Sequence, residues 1–194
     1  MPTFPSIPLS EVSPISINDP WLQSTHAKYL YQARTRNIRP KRAYEVEWKG
    51  LPADQKNIIE RFIRSQRGPV VSFQWTHPFR QTIIMASNTD PITIETAFDH
   101  NVLDLDTVII NGVLGNTAAN GTHQAKVINA TTFELIHKVG NGEYIDGGGV
   151  RIFFPYMGLV IDNDGYKGSE KMIGRDIDNL GYYNVRCRII ERYY

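Results

Sequence analysis

Apolar and polar positions alternate in steps of two along most of this chain, and the step lengthens to three and four only once. In residues 43–49, Tyr44, Val46 and Trp48 fall on one side and Glu45, Glu47 and Lys49 on the other, the pattern of a half-buried strand. Gly50 is expected to break it. Residues 52–66 then read as the single main helix. Pro52 suits the first turn, Asp54 complements the N-terminal end of the helix dipole, and Arg64 and Arg67 complement the other end. Ile58, Ile59, Phe62 and Ile63 form its apolar stripe, and Gly68-Pro69 stops it. Residues 70–76 predict another strand, with Val71, Phe73 and Trp75 on one face, and 81–86 a third. Near the end, Val185, Cys187 and Ile189 alternate with Asn184, Arg186 and Arg188 in a strand over 182–192. Its expected partners are the strands at 44–48 and 71–75.

Outside these stretches the texture differs. Residues 1–27 carry Pro2, Pro5, Pro8, Pro14 and Pro20, too many for a helix or a central strand. Phe4, Ile7, Leu9, Trp21 and Leu22 nevertheless need cover, so an extended arm lying on its own body or on a neighbour is expected. Ser87-Asn88-Thr89-Asp90-Pro91 is turn chemistry and a boundary. Beyond it, short strands at 92–96, 107–110, 124–129 and 132–136 are punctuated by Asn-Gly pairs and by Gly147, Gly148 and Gly149, the last read as a flexible turn. This spacing predicts a small barrel or sandwich. The fold class expected is mainly β with one main α-helix at about 52–66 and a split-barrel or β-sandwich body carrying a small inserted β-barrel. Its parts are the proline-rich arm (1–27), the body (28–91 with 153–194) and the insert (92–152).

Charge sharpens this division. The 194 residues hold 21 Lys and Arg against 20 Asp and Glu, a net charge of +1. Residues 28–67 alone have eleven bases and four acids, a net +7, whereas residues 92–152 have three bases and seven acids, a net −4. Such asymmetry steers a basic part onto nucleic acid or onto a neighbouring subunit's acidic face, or it belongs to a solvated face with no partner. A hydrophobic share of 41% is that of a folded chain. No apolar run approaches the ~18–20 residues of a membrane-spanning helix, and the N-terminus lacks the charge and apolar core of a signal peptide. With Cys187 as the one cysteine, neither an intramolecular disulfide nor a cysteine zinc site can form.

Catalytic chemistry leaves little trace. The five histidines, His26, His77, His100, His123 and His137, are scattered, with no HxH or HExxH pair. No nucleophile-elbow, P-loop or dinucleotide-binding glycine pattern is present. Asp162-Asn163-Asp164-Gly165 fails as a calcium loop, because Val160 and Lys171 stand where carboxylates are required. Asp104 and Asp106 flank Leu105 in an alternation that places both in solvent. Cys187 falls on the apolar face of its strand, and Trp48 and Trp75 on inward faces. The expectation is no enzyme, no cofactor and no metal site.

Two stretches resemble known families. Arg42-Ala43-Tyr44-Glu45-Val46-Glu47-Trp48, Leu51, Phe62, Arg67-Gly68, Ser72-Phe73-Gln74-Trp75 and the closing Tyr183-Asn184-Val185-Arg186-Cys187-Arg188-Ile189-Ile190-Glu191 resemble the distal and minor tail proteins of long-tailed bacteriophages, the lambda-type minor tail family among them. The run from Asp106 to Gly121, with Thr132-Phe133-Glu134-Leu135, Asn141-Gly142-Glu143-Tyr144 and Gly147-Gly148-Gly149, is similar to small β-barrel modules of phage tail and fibre proteins. Those modules are named after the first catalytic-cysteine half-domain of ubiquitin-activating enzymes. Leu105-Asp106 stands where their pattern has Gly-Asp.

The resemblance implies a structural virion protein, made in the host cytoplasm and built into the tail. It would form part of a ring (hexameric or trimeric in such families) at the distal tail, tail tip or baseplate, joining the tail-tube protein to tip or hub proteins. It implies no membrane partner and no specific nucleic-acid binding. Phe4, Ile7, Trp21 and Leu22 of the arm, Arg34, Arg36, Arg39 and Arg42 of the basic stretch, and Tyr193 and Tyr194 at the end are the candidate assembly residues. The alternative is a host-receptor or carbohydrate-binding module, presenting Asn116, Asn120, Asn141 and Gly148 on the insert's loops.

Overall fold

The computed structural model describes residues 2–15, 22–25, 31–34, 42–66, 71–159, 168–175 and 181–191. The chain is mainly β with one α-helix among these residues, and it divides into two compact units, residues 1–73 with 156–194 and residues 74–155. The strands β5 (Phe73–Thr76) and β11 (Asp146–Leu159) carry the chain across the division.

The first unit is built on an antiparallel sheet. Its centre is β13 (Gly181–Glu191), paired on one side with β4 (Ala43–Pro52) and on the other with β12 (Gly168–Arg175) and the last residues of β11. β1 (Glu11–Ile15) adds to the free side of β4. That edge position tolerates Pro14, which has no amide to donate. A separate hairpin joins β2 (Leu22–Thr25) to β3 (Tyr31–Arg34). Tyr44, Val46 and Trp48 of β4 and Val185, Cys187 and Ile189 of β13 are all buried, as their alternation predicts.

Gly50 does not end β4. With φ +67 it forms a bulge, across which the pairing shifts from Val185↔Trp48 to Tyr183↔Leu51, and its amide donates to Asn184 Oδ1 at 3.1 Å. The helix α1 (Ala53–Ser65) follows directly, capped by Pro52 and Gln66, with Asp54 in its first turn and Arg64 in its last. Ile59 is fully buried and Phe62 and Ile63 partly so, but Ile58 points to solvent. The stripe is therefore narrower than the four apolar residues imply. Gly68, Pro69 and the Asp162–Gly165 turn lie outside the described residues.

The second unit is a closed six-stranded barrel. β6 (Gln81–Ala86), β7 (Ile92–Thr96), β10 (Thr132–Leu135), β9 (Gly121–Val127) and β8 (Thr107–Leu114) follow one another around it, and β11 closes it by pairing with both β8 and β6. Its interior is filled by Ile83, Ile92, Ile94, Val108, Ile110, Ala125, Phe133, Leu135 and Val150. A short 3-10 turn, Thr117–Ala119, links β8 to β9.

Gly147, Gly148 and Gly149 are not a flexible turn. They lie within β11, where Gly149 faces both Asn111 and Thr82. A Cβ on Gly148 would stand 2.6 Å from the Val113 side chain, and Gly147 has φ +77, so packing and backbone geometry both call for glycine here. β6 pairs with β11 only through Gln81 and Thr82. Beyond them the phenol of Tyr144 bridges the seam, its hydroxyl within hydrogen-bonding reach of Ile83 O (3.1 Å) and Gly147 O (2.9 Å). Burial, aided by Asp146, holds that phenol above its ordinary pKa.

Candidate assembly surfaces

Of the arm residues expected at a subunit interface, Phe4 belongs to the core of its own unit. Its ring stacks on Trp48 at 5.5 Å and meets Phe62 edge-on at 5.4 Å and Phe73 at 5.5 Å. Ile7 is half-buried, and its carbonyl accepts a hydrogen bond from Trp48 Nε1 at 3.2 Å. The Ser10 amide donates to Glu47 O at 2.9 Å, and the Lys49 amide to Ser10 Oγ at 2.9 Å. Phe4 and Ile7 thus find cover at home, against Trp48 and its neighbours. Leu22 lies in β2 and Arg34 in β3, described by their backbone course. Trp21, Arg36, Arg39, Tyr193 and Tyr194 lie outside the described residues.

The outward face of the first unit's sheet is a mesh of ion pairs. Lys49 Nζ meets Glu11 at 2.8 Å and Glu47 at 3.5 Å, Arg186 meets Glu45 at 3.3 Å and Glu47 at 3.7 Å, and Arg188 Nε meets Glu45 at 3.2 Å. The hydrogen bond and charge of Lys49 hold the Glu11 carboxyl below its ordinary pKa, and Glu11 in turn raises that of Lys49. Arg42 is half-buried, with Nε 3.9 Å from Glu191. On the helix, Lys56 and Arg64 both reach Glu60, at 3.3 and 3.6 Å. Much of the described basic charge is therefore already matched by carboxylates. An exposed pair of this kind contributes about 0–1 kcal/mol, so the mesh orders the face more than it stabilises it.

In the barrel, the loop residues singled out for recognition are turned to structural work. Asn116 is fully buried. Its Nδ2 donates to Ser87 O at 2.7 Å and approaches Ala86 O at 3.5 Å, and its Oδ1 accepts from the Asn141 amide at 3.1 Å. One side chain thereby ties the β6–β7 turn, the β8–β9 link and the β10–β11 loop together. Asn120 closes on Val113, accepting from its amide and donating to its carbonyl, both at 2.9 Å. Asn141 is exposed, yet its amide group bonds Ala118 N and Thr117 Oγ1, each at 2.9 Å. Gly148 is buried within β11.

Of the Asp104 and Asp106 pair, Asp104 is exposed as the alternation predicts, but Asp106 turns inward. Asp106 is buried, and its Oδ2 accepts from the Leu103 amide at 2.7 Å, while Asp104 Oδ1 accepts from Val127 N at 2.6 Å. Both carboxylates brace a turn in which Leu105 takes φ +66, the left-handed conformation natural to glycine. His100 is likewise spent on backbone: its Nδ1 accepts from Val102 N at 2.9 Å and its Nε2 faces Asn129 O at 3.0 Å, which makes Nε2 the protonated nitrogen. His123 Nε2 lies 3.1 Å from Ala119 O and 3.2 Å from Asn120 O, and burial lowers its pKa. Cys187 is buried, its thiol pushed up to about 12 by desolvation. No group of three or more metal-ligating side chains comes together among the described residues, and none of their helices is long and apolar enough to cross a membrane.

These aspects of sequence alone missed the inward roles of Asn116 and Asp106. The available signal was the pairing of Gly115-Asn116 with Asn141-Gly142, two tight-turn pairs that interlock in space. Neither models of known protein families nor curated protein sequences match this chain.

Proposed function

We propose that this chain is a structural component of a bacteriophage tail. It sits in a ring at the distal tail, tail tip or baseplate and joins the tail-tube protein to tip or hub components within the virion. The observation that favours a scaffold over a receptor-binding module is the inward commitment of Asn116, Asn120 and Gly148. A barrel whose loop polar groups bind one another presents a fixed shape, which suits repeated contact with identical neighbours. The mixed charge of the two units supports the same reading, because contacts between unlike faces are directional and register-setting.

The test is the mass of the purified protein by light scattering at low and high salt, alone and with the tail-tube protein. A discrete multimer such as a trimer or hexamer, or assembly on adding the tube protein, is the expected result. A monomer at every concentration that ignores the tube protein and adheres to host cells overturns the reading in favour of a receptor-binding module.

A further inference from the structure

Two arginines stand on the barrel's outer wall, and among the described residues neither has a carboxylate partner. Arg151 is on β11 and points outward, since Val150 and Ile152 on either side are buried. Arg80 reaches the same wall by a different route. Gly149 has no side chain, and the Arg80 guanidinium fills the space where a Cβ at 149 would sit, with Nη2 3.5 Å from Asn111 O. The two cations therefore occupy adjacent outward positions of one strand, about 7 Å apart along the backbone. Ile109, opposite Arg151, and the half-buried Phe153 give the wall its apolar part.

Across the barrel, one strand away on either side, the wall formed by β7 and β10 has the opposite sign. Glu95 faces Thr132 and Glu134 faces Thr93, so the two glutamates are diagonal neighbours, roughly 7–8 Å apart. Glu134 also holds the exposed Lys126 at 3.1 Å. Beside Glu95 the register shift in β6 turns both Ile84 and Met85 to solvent. Each wall thus combines a pair of like charges at matching spacing with an apolar pair, and the signs are opposite, although Lys126 on Glu134 leaves the acidic wall with the smaller net charge.

From this complementarity we infer that neighbouring copies of the chain meet barrel to barrel, the Arg80 and Arg151 wall of one against the Glu95 and Glu134 wall of the next. The inference rests on the assembly reading above and specifies its surface. Because the walls face opposite ways, the contact is head-to-tail and propagates around a ring or along a filament.

The experiment is a charge-swap series on the full chain, read by sedimentation velocity at about 50 mM and about 500 mM salt, over which the Debye length shrinks to roughly a third. Arg80→Glu with Arg151→Glu, and separately Glu95→Lys with Glu134→Lys, should each weaken self-association about 10- to 30-fold at low salt, with thermal unfolding shifted by no more than the lost exposed Lys126–Glu134 pair and the new Lys–Lys facing account for. Mixed in equal amounts, the two variants should assemble again into an even-membered ring or a filament, in which they alternate and every wall meets its opposite; a three-membered ring cannot alternate and should not be rescued. Assembly of both variants as in the unmodified protein overturns the wall contact and leaves the ring to other surfaces. A protein that is monomeric at both salts overturns the inference together with the ring. Retention of that monomer on heparin through Arg80 and Arg151 would instead assign the basic wall to a free polyanion.

Discussion

Replacing Asn116 tests whether the barrel's loop end is held by one side chain. Asn116→Ala removes the amide group and leaves Ser87 O and the Asn141 amide without their partner at a fully buried position. A buried polar group stranded in this way costs about 1–3 kcal/mol, and because both bonds are only part-buried the two together amount to the lower part of twice that, roughly 2–4 kcal/mol. The effect belongs to the second unit, so the assay is native-state hydrogen exchange on the whole chain. Amides of the barrel strands should exchange about 30- to 1,000-fold faster, while those of β4 and β13 keep their protection. Asn116→Asp separates donor from acceptor. Its carboxylate still accepts from Asn141 but sets a negative oxygen against Ser87 O, so folding raises the pKa of the new carboxyl. The protonated form can donate to Ser87 O, so this variant's stability is fullest below the unfolded carboxyl pKa and is lost as pH rises through the folded one. An alanine variant with unchanged barrel protection, or an aspartate variant equally stable at pH 4 and pH 7, would refute the tie.

Four further outcomes follow from the same geometry. Gly115 has φ +84, and a Cβ there would overlap the Glu143 carbonyl oxygen, so Gly115→Ala should cost more than about 3 kcal/mol and yield little soluble protein on expression. Leu105→Gly relieves a left-handed leucine and should raise thermal stability by about 0.5–1 kcal/mol in a calorimetric scan; a loss would mean that the exposed leucine side chain makes contacts that outweigh the strain. His123 has a folded pKa below its unfolded one, so its contribution is present above the unfolded pKa near 6.5 and is lost as pH falls through the folded value. A His123→Gln barrel should lose part of that acid sensitivity in melts at pH 7 and pH 5. Cys187, with its thiol near 12, should resist iodoacetamide at pH 8 until the first unit is unfolded, and rapid labelling of the native protein would contradict its burial.

Strands with one wet face were legible because their alternation was unbroken: the stretch from Tyr44 to Trp48, Ile92–Thr96 and the Val185, Cys187, Ile189 series. β11 was not, for two physical reasons. Its first residues are glycines, whose usual meaning is a turn, and its later outward position at Phe153 is apolar, which blurs the period of two. Gly50 shows a similar ambiguity, since a bulge and a strand end make the same demand for positive φ. At the candidate surfaces, the need to cover Phe4 was readable, but not that Trp48, Phe62 and Phe73 cover it. The burial of Asn116 and Asp106 was hidden because a polar residue in a polar segment carries no periodic signal. Arg80 on Gly149 depends on a missing side chain far along the chain, which only the folded barrel brings alongside.

The way the chain enters and leaves the barrel has an evolutionary consequence. Trp75 stacks on Phe154 at 5.5 Å and the His77 amide bonds Ile152 O at 2.9 Å, so the incoming and outgoing segments run side by side in opposite directions. A module whose two ends are neighbours is a cassette. It can be gained by, or lost from, a hairpin of a host fold with little added loop-closure entropy, because its own ladder fixes the separation of the splice points. Related chains that keep the first unit are therefore expected to vary by whole modules between these two strands, with a bare turn or a different small domain in the barrel's place.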